Sequence, residues 1–315
     1  MNSFSLLPNK NKLYWDMYKK QMRAIWTTEE IDFTKDYKDF ITLDENKQHT
    51  VKMILSFFSN SDGLVNYNIR NNFLNDFCNE ISYVYTFQMF MENIHNETYS
   101  QMIDCLIKDE NEKIKLFDSI NNIDIIKKIS KWGLTYSDNI CYTLAEKLLV
   151  FICFEGIMFS GAFAVIFWLK TYCSGGKMFL SGITKSNELI SRDEGMHVDF
   201  GIEVFKEQQL KDKVPNFLLT TIILECVSLT QEFNKEVLKI RYIGINEEMM
   251  NQYTEYIADR IFVSIGLPKQ FNATNPFRFM DTIGMTQKTN FHESRPTEYQ
   301  KDLNSDVNII LCEDF

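Results

Sequence analysis

The segment from Leu148 to Leu169, LLVFICFEGIMFSGAFAVIFWL, carries a single charge, Glu155, near its middle. A run this long and apolar fits either the hydrocarbon of a bilayer or the centre of a large helical core. In both settings the carboxylate loses its hydration, which is costly unless a cation or hydrogen-bond donors replace it. No second run of this kind exists, and the basic flanks that would orient a spanning helix are weak. The segment therefore reads as the buried central helix of a bundle with no membrane association, and Glu155 reads as a residue kept for its chemistry.

The rest of the chain permits such a bundle. No proline occurs between Pro8 and Pro215, so long helices can run uninterrupted. No stretch alternates apolar and polar residues long enough to suggest a sheet. Helices are expected over residues 10–24, from a Thr42-x-x-Glu45 capping box onward, across 81–106, over a more polar stretch at 111–129, and over 141–172, 185–210 and 246–266. A further helix should start at Pro215, and an irregular stretch should follow Pro268. With 45% hydrophobic residues among 315, the chain can bury a sizeable core. Its net charge of −10 argues against nucleic-acid binding, which needs clustered Lys and Arg. Seven cysteines without a CxxC pair fit reduced thiols in a cytoplasmic protein, and the N-terminus lacks the apolar core of a signal peptide.

Four histidines are present, and two of them follow a glutamate by three residues: Glu92-x-x-His95 and Glu194-x-x-His197. Residues three apart share a helix face, so each pair can grip one ion. A two-metal site in a helical bundle needs one more carboxylate from each of two other helices. Asp62 and Glu155 both interrupt apolar stripes, and they precede the two pairs by 30 and 39 residues, about a helix and a turn. The order is carboxylate, ExxH, carboxylate, ExxH. Four carboxylates and two imidazoles suit iron or manganese better than a thiolate-bound metal.

With these residues in place, the chain resembles the small, radical-generating subunit of class I ribonucleotide reductase in its eukaryotic and large-virus form. The resemblance runs through Trp26-Thr27-Thr28-Glu29-Glu30-Ile31-Asp32, Ser61-Asp62-Gly63, Met91 to Ser100, Glu155-Gly156 with Phe159-Ser160-Gly161, and Ser186 to His197. It continues in Asn275-Pro276-Phe277, Lys288-Thr289-Asn290-Phe291 and the terminal Phe315. It implies one ferritin-like all-α domain, 1–285, and a flexible docking tail, 286–315. It also implies two irons, with manganese possible as the alternative metal, bound by Asp62, Glu92, His95, Glu155, Glu194 and His197.

Oxygen activation there would convert Tyr99 to a stable radical. Tyr99 lies roughly 6 Å along a helix axis from His95, at a rise of 1.5 Å per residue. By the same resemblance Phe159, Phe163 and Ile190 form an apolar pocket around the radical, Trp26 relays electrons, and Asp193 couples Trp26 to His95. Tyr299, with Glu293, passes the radical to a large subunit that reduces ribonucleotides to deoxyribonucleotides. Leu311 and Phe315 anchor the tail on that subunit, and a homodimer, or a heterodimer with another small subunit, is expected. Cys312, His292, Ser294, Pro296 and a long 173–185 connection depart from the family pattern and bear on partner binding more than on the metal site. The alternatives are a helper small subunit without its own radical and a ferritin-like ferroxidase; Trp26, Asp193, Tyr99 and the tail argue against the second.

Overall fold

The computed structural model describes residues 11–74, 77–175 and 178–280. Among them every element is helical, apart from one isolated bridge between Tyr242 and Ile245. In order these are α1 (Lys12–Met22), a 3-10 turn (Thr28–Glu30), α2 (Asp36–Phe40), α3 (Glu45–Asn72), α4 (Asn79–Leu106), α5 (Glu110–Phe117), α6 (Ser119–Asn122) and α7 (Asp124–Asp138). There follow α8 (Leu144–Cys153), a π-helical turn (Phe154–Phe159), α9 (Ser160–Tyr172), α10 (Ser181–Glu207), a 3-10 turn (Leu210–Lys213), α11 (Asn216–Val237) and α12 (Glu247–Ser264). The all-α expectation holds. One compact unit extends to Phe277; the expected division at residue 285 lies outside the described residues.

From Leu148 to Leu169 every residue except Ser160 is buried. The stretch passes every length and composition test for a membrane span, yet 94% of its most apolar window is enclosed by the protein itself. Phe151, Phe159, Phe167 and Trp168 are fully buried within it, each worth about 1.5–3 kcal/mol relative to exposure. α3, α10, α11 and α12 pack around this central helix, and α4 pairs with α3 along its length.

Several expected boundaries move, each for a local reason. Thr42 does not cap α3: its hydroxyl donates to Asp39 O at 2.6 Å. Asp44 is the extended residue, and its Oδ1 accepts from Lys47 N at 2.9 Å. The helix expected over 111–129 is three pieces, α5 to α7, broken at Asp118 and at the extended, β-branched Ile123. The apolar helix starts at Leu144, behind a Thr143–Glu146 capping box, and loosens into a π turn at Glu155.

α10 begins four residues earlier than expected because a distant segment caps it. Asp36, fully buried, accepts from Gly182 N at 3.1 Å and Ile183 N at 2.8 Å, and Asp39 accepts from Leu180 N at 2.9 Å. A side chain at 182 would meet Asp32 O and Asp36 Oδ2 at 2.8 Å, so glycine is required there. This clamp fixes the start of the helix that carries Asp193, Glu194 and His197.

Candidate metal centre

Four core segments converge on one point. α3 supplies Asp62, α4 supplies Glu92 and His95, the π turn supplies Glu155, and α10 supplies Glu194 and His197; none is more than 2% exposed. One potential ligand atom from each of Glu92, Glu155, Glu194 and His197 lies within 4.8 Å of the others, and the same holds for Asp62, Glu92 and His95. Glu92 belongs to both groups, so the geometry is that of two adjacent sites sharing a carboxylate. His95 Nδ1 lies 3.2 Å from Glu92 Oε2 and 3.1 Å from Glu194 Oε1. His197 Nδ1 lies 3.1 Å from Glu92 Oε1 and 3.4 Å from Glu194 Oε2.

The electrostatics of the bare cluster are those of a site built for cations. Burial, with the neighbouring Glu92 and Glu194 charges, pushes Asp62 well above the usual carboxylate range; burial and the same two glutamates, with Asp62, do so for Glu155. Burial would also raise Glu92, but His197 and His95 outweigh it and hold it near about 2. Burial disfavours a charged His197, yet hydrogen bonds and charge from Glu194 and Glu92 raise it to about 9. His95 is raised well above its ordinary value by Asp193, Glu194 and Glu92 against the same burial. Both oxygens of Asp62 and Oε2 of Glu155 have no hydrogen-bond partner, an arrangement that costs several kcal/mol per buried ion unless something pairs with it. Four carboxylates match the charge of two divalent cations, and the oxygen and imidazole donors fit iron or manganese chemistry. The residues present therefore fit a dinuclear metal group.

Behind the ligands stands an ordered outer layer. His95 turns Nε2 away from the cluster to Asp193 Oδ2, at 3.3 Å, and the same oxygen accepts from Trp26 Nε1 at 2.7 Å. The Trp26 and His95 rings are near-parallel, with centroids 6.0 Å apart. Arg192 donates to Asp193 Oδ1 at 2.9 and 3.1 Å and to Ala24 O at 2.5 Å. Thr28 is tied to Thr98 on α4 by a 2.9 Å hydroxyl contact, and together these bonds hold the Trp26 segment over α4 and α10. Asp193 is lowered: His95, Arg192 and Trp26 outweigh the burial that would raise it.

Tyr99 is 2% exposed, and its hydroxyl has no hydrogen-bond partner. Burial, then the charges of Asp62, Glu194 and Glu92, push its phenol well above its ordinary value. Its ring stacks on Phe58 at 4.7 Å with planes 7° apart. Phe159 and Phe163 pack on Phe58 in turn, at 5.3 and 4.9 Å; Ile190 is fully buried on α10. Phe58 lies among the buried residues of α3, and nothing local in the sequence marks it as the ring facing the tyrosine. Gln88 shares a helix face with Glu92 and His95, but that face alone does not reveal its role: its Nε2 donates to Glu155 Oε1 at 2.8 Å and Glu92 Oε1 at 3.1 Å. The available signal was its place one turn before Glu92. Glu293, Tyr299, Leu311 and Phe315, with the departures at His292, Ser294, Pro296 and Cys312, lie outside the described residues.

Residues 3–276 match the family model described as ribonucleotide reductase, small chain. The ribonucleoside-diphosphate reductase small chain of Yaba-like disease virus is 40% identical over 302 residues, covering 96% of this chain and 91% of the viral one. That of Plasmodium falciparum (isolate Dd2) is 42% identical over 299 residues, covering 95% and 83%. The solved structure of the ribonucleotide reductase Rnr4 homodimer from Saccharomyces cerevisiae aligns with a TM-score of 0.77 at 31% identity, covering 91% of this chain and 90% of the yeast chain.

Proposed function

The chain belongs to the ribonucleotide reductase small-chain family, as a small subunit of ribonucleoside-diphosphate reductase with a ferritin-like helical bundle, and on that premise we propose that it holds two iron ions and generates a radical at Tyr99. Asp62, Glu92, His95, Glu155, Glu194 and His197 bind the ions. Bound there in the reduced state, the ions would supply electrons to dioxygen and leave a centre able to accept one electron from a neighbouring side chain. Tyr99 would give that electron to the oxidised centre and its phenolic proton to a base at the centre, on the side of Asp62, whose charge acts most strongly on the phenol. Among the described residues its hydroxyl has no hydrogen-bond partner, and Phe58, Phe159, Phe163 and Ile190 keep water and reductants away from it.

Trp26 relays electrons between the centre and the surface. Asp193 positions it, because one carboxylate oxygen takes both the indole N–H and the imidazole N–H. The continuity from Trp26 through Asp193 and His95 to the shared carboxylate Glu92 is the observation that carries this reading, since a centre that only stored or oxidised iron has no use for it. Tyr299 continues the transfer to a large subunit that reduces ribonucleotides to deoxyribonucleotides, and Leu311 and Phe315 dock the tail, residues 286–315, on that partner. The chain works as a dimer, with a second copy or with another small subunit, in the cytoplasm.

The test is electron paramagnetic resonance of apoprotein loaded with ferrous iron without oxygen, then exposed to oxygen, beside Tyr99→Phe. A tyrosyl signal in the parent alone assigns the radical. Two irons bound with no such signal in either protein sinks the radical assignment and leaves a helper subunit.

A further inference from the structure

Every ligand of the centre is at most 2% exposed, so a cation arriving from solvent needs a way in. Glu155 and Glu194 line a cleft of about 190 Å³ whose walls are the π turn with the start of α9, α10, and α12. That volume holds roughly six waters at about 30 Å³ each. Glu155, which lines this wall, also carries an oxygen, Oε2, that is buried and without a hydrogen-bond partner among the described residues. Ser160 at the start of α9 and Ser264 at the end of α12, both partly exposed, also line it.

Gly195 is exposed and lines the same cleft, directly after the ligand Glu194. Glycine inside a helix costs about 1 kcal/mol relative to alanine, and it usually answers a close approach or a positive φ. Elsewhere in α10 the close approach is visible: a Cβ at 182 would meet Asp32 O at 2.8 Å, and one at 201 would meet Ile152 at 3.0 Å. At 195 a Cβ would meet nothing within 4 Å, and φ is not in the left-handed region. Packing does not require this glycine. What its missing side chain does is leave the mouth of the cleft unobstructed.

We propose that this cleft is the route by which divalent cations reach the centre, with Gly195 as its aperture. The inference rests on the reading of the cluster as a metal centre. Ions would shed water as they meet the carboxylates of Glu194 and Glu155, the two ligands the cleft exposes. Asp199 at the mouth is surrounded by Arg260, Lys20 and Lys206 as well as Glu203, so the mixed charge provides little long-range attraction. Aperture, not steering, governs the rate.

The experiment follows uptake of Mn(II) by apoprotein through loss of the free-ion resonance after rapid mixing. Parent, Gly195→Ala, Gly195→Leu and Ser264→Leu are compared. Alanine should leave the rate nearly unchanged. Leucine at either wall should slow uptake by about tenfold or more, a modest added barrier, while the final number of ions bound stays at the parent value. Parent-like uptake by Gly195→Leu overturns the route, as does equal slowing by alanine and leucine, which would point to backbone freedom. If Gly195→Leu does not fold, Ser264→Leu decides alone, and an unchanged rate refutes the route. A parent that binds no Mn(II) removes the metal-centre reading and the route with it; binding with unaffected rates removes the route alone.

Discussion

Replacing Asp193 by asparagine keeps the shape of the side chain and inverts its logic. Oδ2 accepts from Trp26 Nε1 and His95 Nε2, and Oδ1 accepts from Arg192 Nε and Nη2. All four partners are donors. An amide has one oxygen, so whichever way it turns its NH2 group faces donors at a site 2% exposed. A hydrogen bond to a charged group is worth about 1.5–3 kcal/mol, and breaking one side of a buried ion pair costs about 3–5 kcal/mol. The larger range applies because Arg192 and protonated His95 both lose a counter-charge. At about 2.1 cal/mol/K of unfolding entropy per residue, each kcal/mol lowers Tm by about 1.5 °C in a chain of 315 residues, so calorimetry of the apoprotein should show a fall of about 4–8 °C. The ligands themselves are untouched, so two ions should still bind, with affinity or turnover reduced about 10–100-fold as for other outer-layer changes. Turnover with the large subunit should fall more than the Tyr99 radical yield. An Asp193→Asn protein melting within about 1 °C of the parent, less than 1 kcal/mol, and turning over normally would refute the claim that this carboxylate joins Trp26 to the centre.

Phe58→Ala removes the ring stacked on Tyr99 and should cost about 3–5 kcal/mol in denaturant unfolding; the radical should decay faster when a small reductant is added, and an unchanged decay would show that Phe58 does not shield it. Gly182→Ala drives a methyl into Asp32 O and Asp36 and should cost about 1–3 kcal/mol, seen as a lower Tm; a neutral result would mean the clamp on α10 yields easily. The chelated apoprotein should lose stability as pH rises. His197, raised to about 9, binds its proton more tightly folded than unfolded, so its contribution is complete below the ordinary imidazole value and is lost through about pH 9. Asp62 and Glu155, also raised, act in the same direction. Glu92, held near about 2, acts oppositely: its contribution is present above the ordinary carboxylate value and is lost as pH falls towards 2. Urea titrations of chelated and metal-loaded protein across pH 5–10 check this, with the alkaline loss expected only in the chelated form; a flat chelated profile refutes it.

The centre was legible because its residues violate their surroundings. A carboxylate in the apolar run, another in the stripe of α3, and two ExxH pairs need no long-range knowledge to stand out. The central helix was legible for the same reason, since one side chain in 22 is charged. What stayed hidden depends on partners far away in the chain. Asp36 caps a helix that starts almost 150 residues later, and Gly182 looks dispensable until Asp32 is beside it. The π turn at Glu155 has no residue pattern of its own; it lies where the central helix meets α10, α11 and α12. The cap of α3 failed on a finer point. Thr42 and Asp44 both have capping side chains, and backbone dihedrals two residues apart decided between them.

α10 shows how a helix separates functions that are adjacent in sequence. Successive residues point about 100° apart, so Arg192, Asp193 and Glu194 leave the helix in different directions, although Arg192 bends back onto Asp193, and Asp193 and Glu194 hold opposite nitrogens of His95. Arg192 reaches outward to Ala24 O, Asp193 turns to Trp26 and His95, and Glu194 enters the carboxylate and imidazole cluster beside His197. Gly195 completes the turn on the exposed side. Four consecutive positions thus meet the anchor of the Trp26 segment, the hydrogen-bonded link, the ions and the solvent cleft. A one-residue slip of this helix would exchange all four environments at once. That is why its start is held by two buried-side carboxylates, Asp36 and Asp39, on three backbone N–H groups, and why weakening that distant clamp should disturb metal binding before it unfolds the bundle.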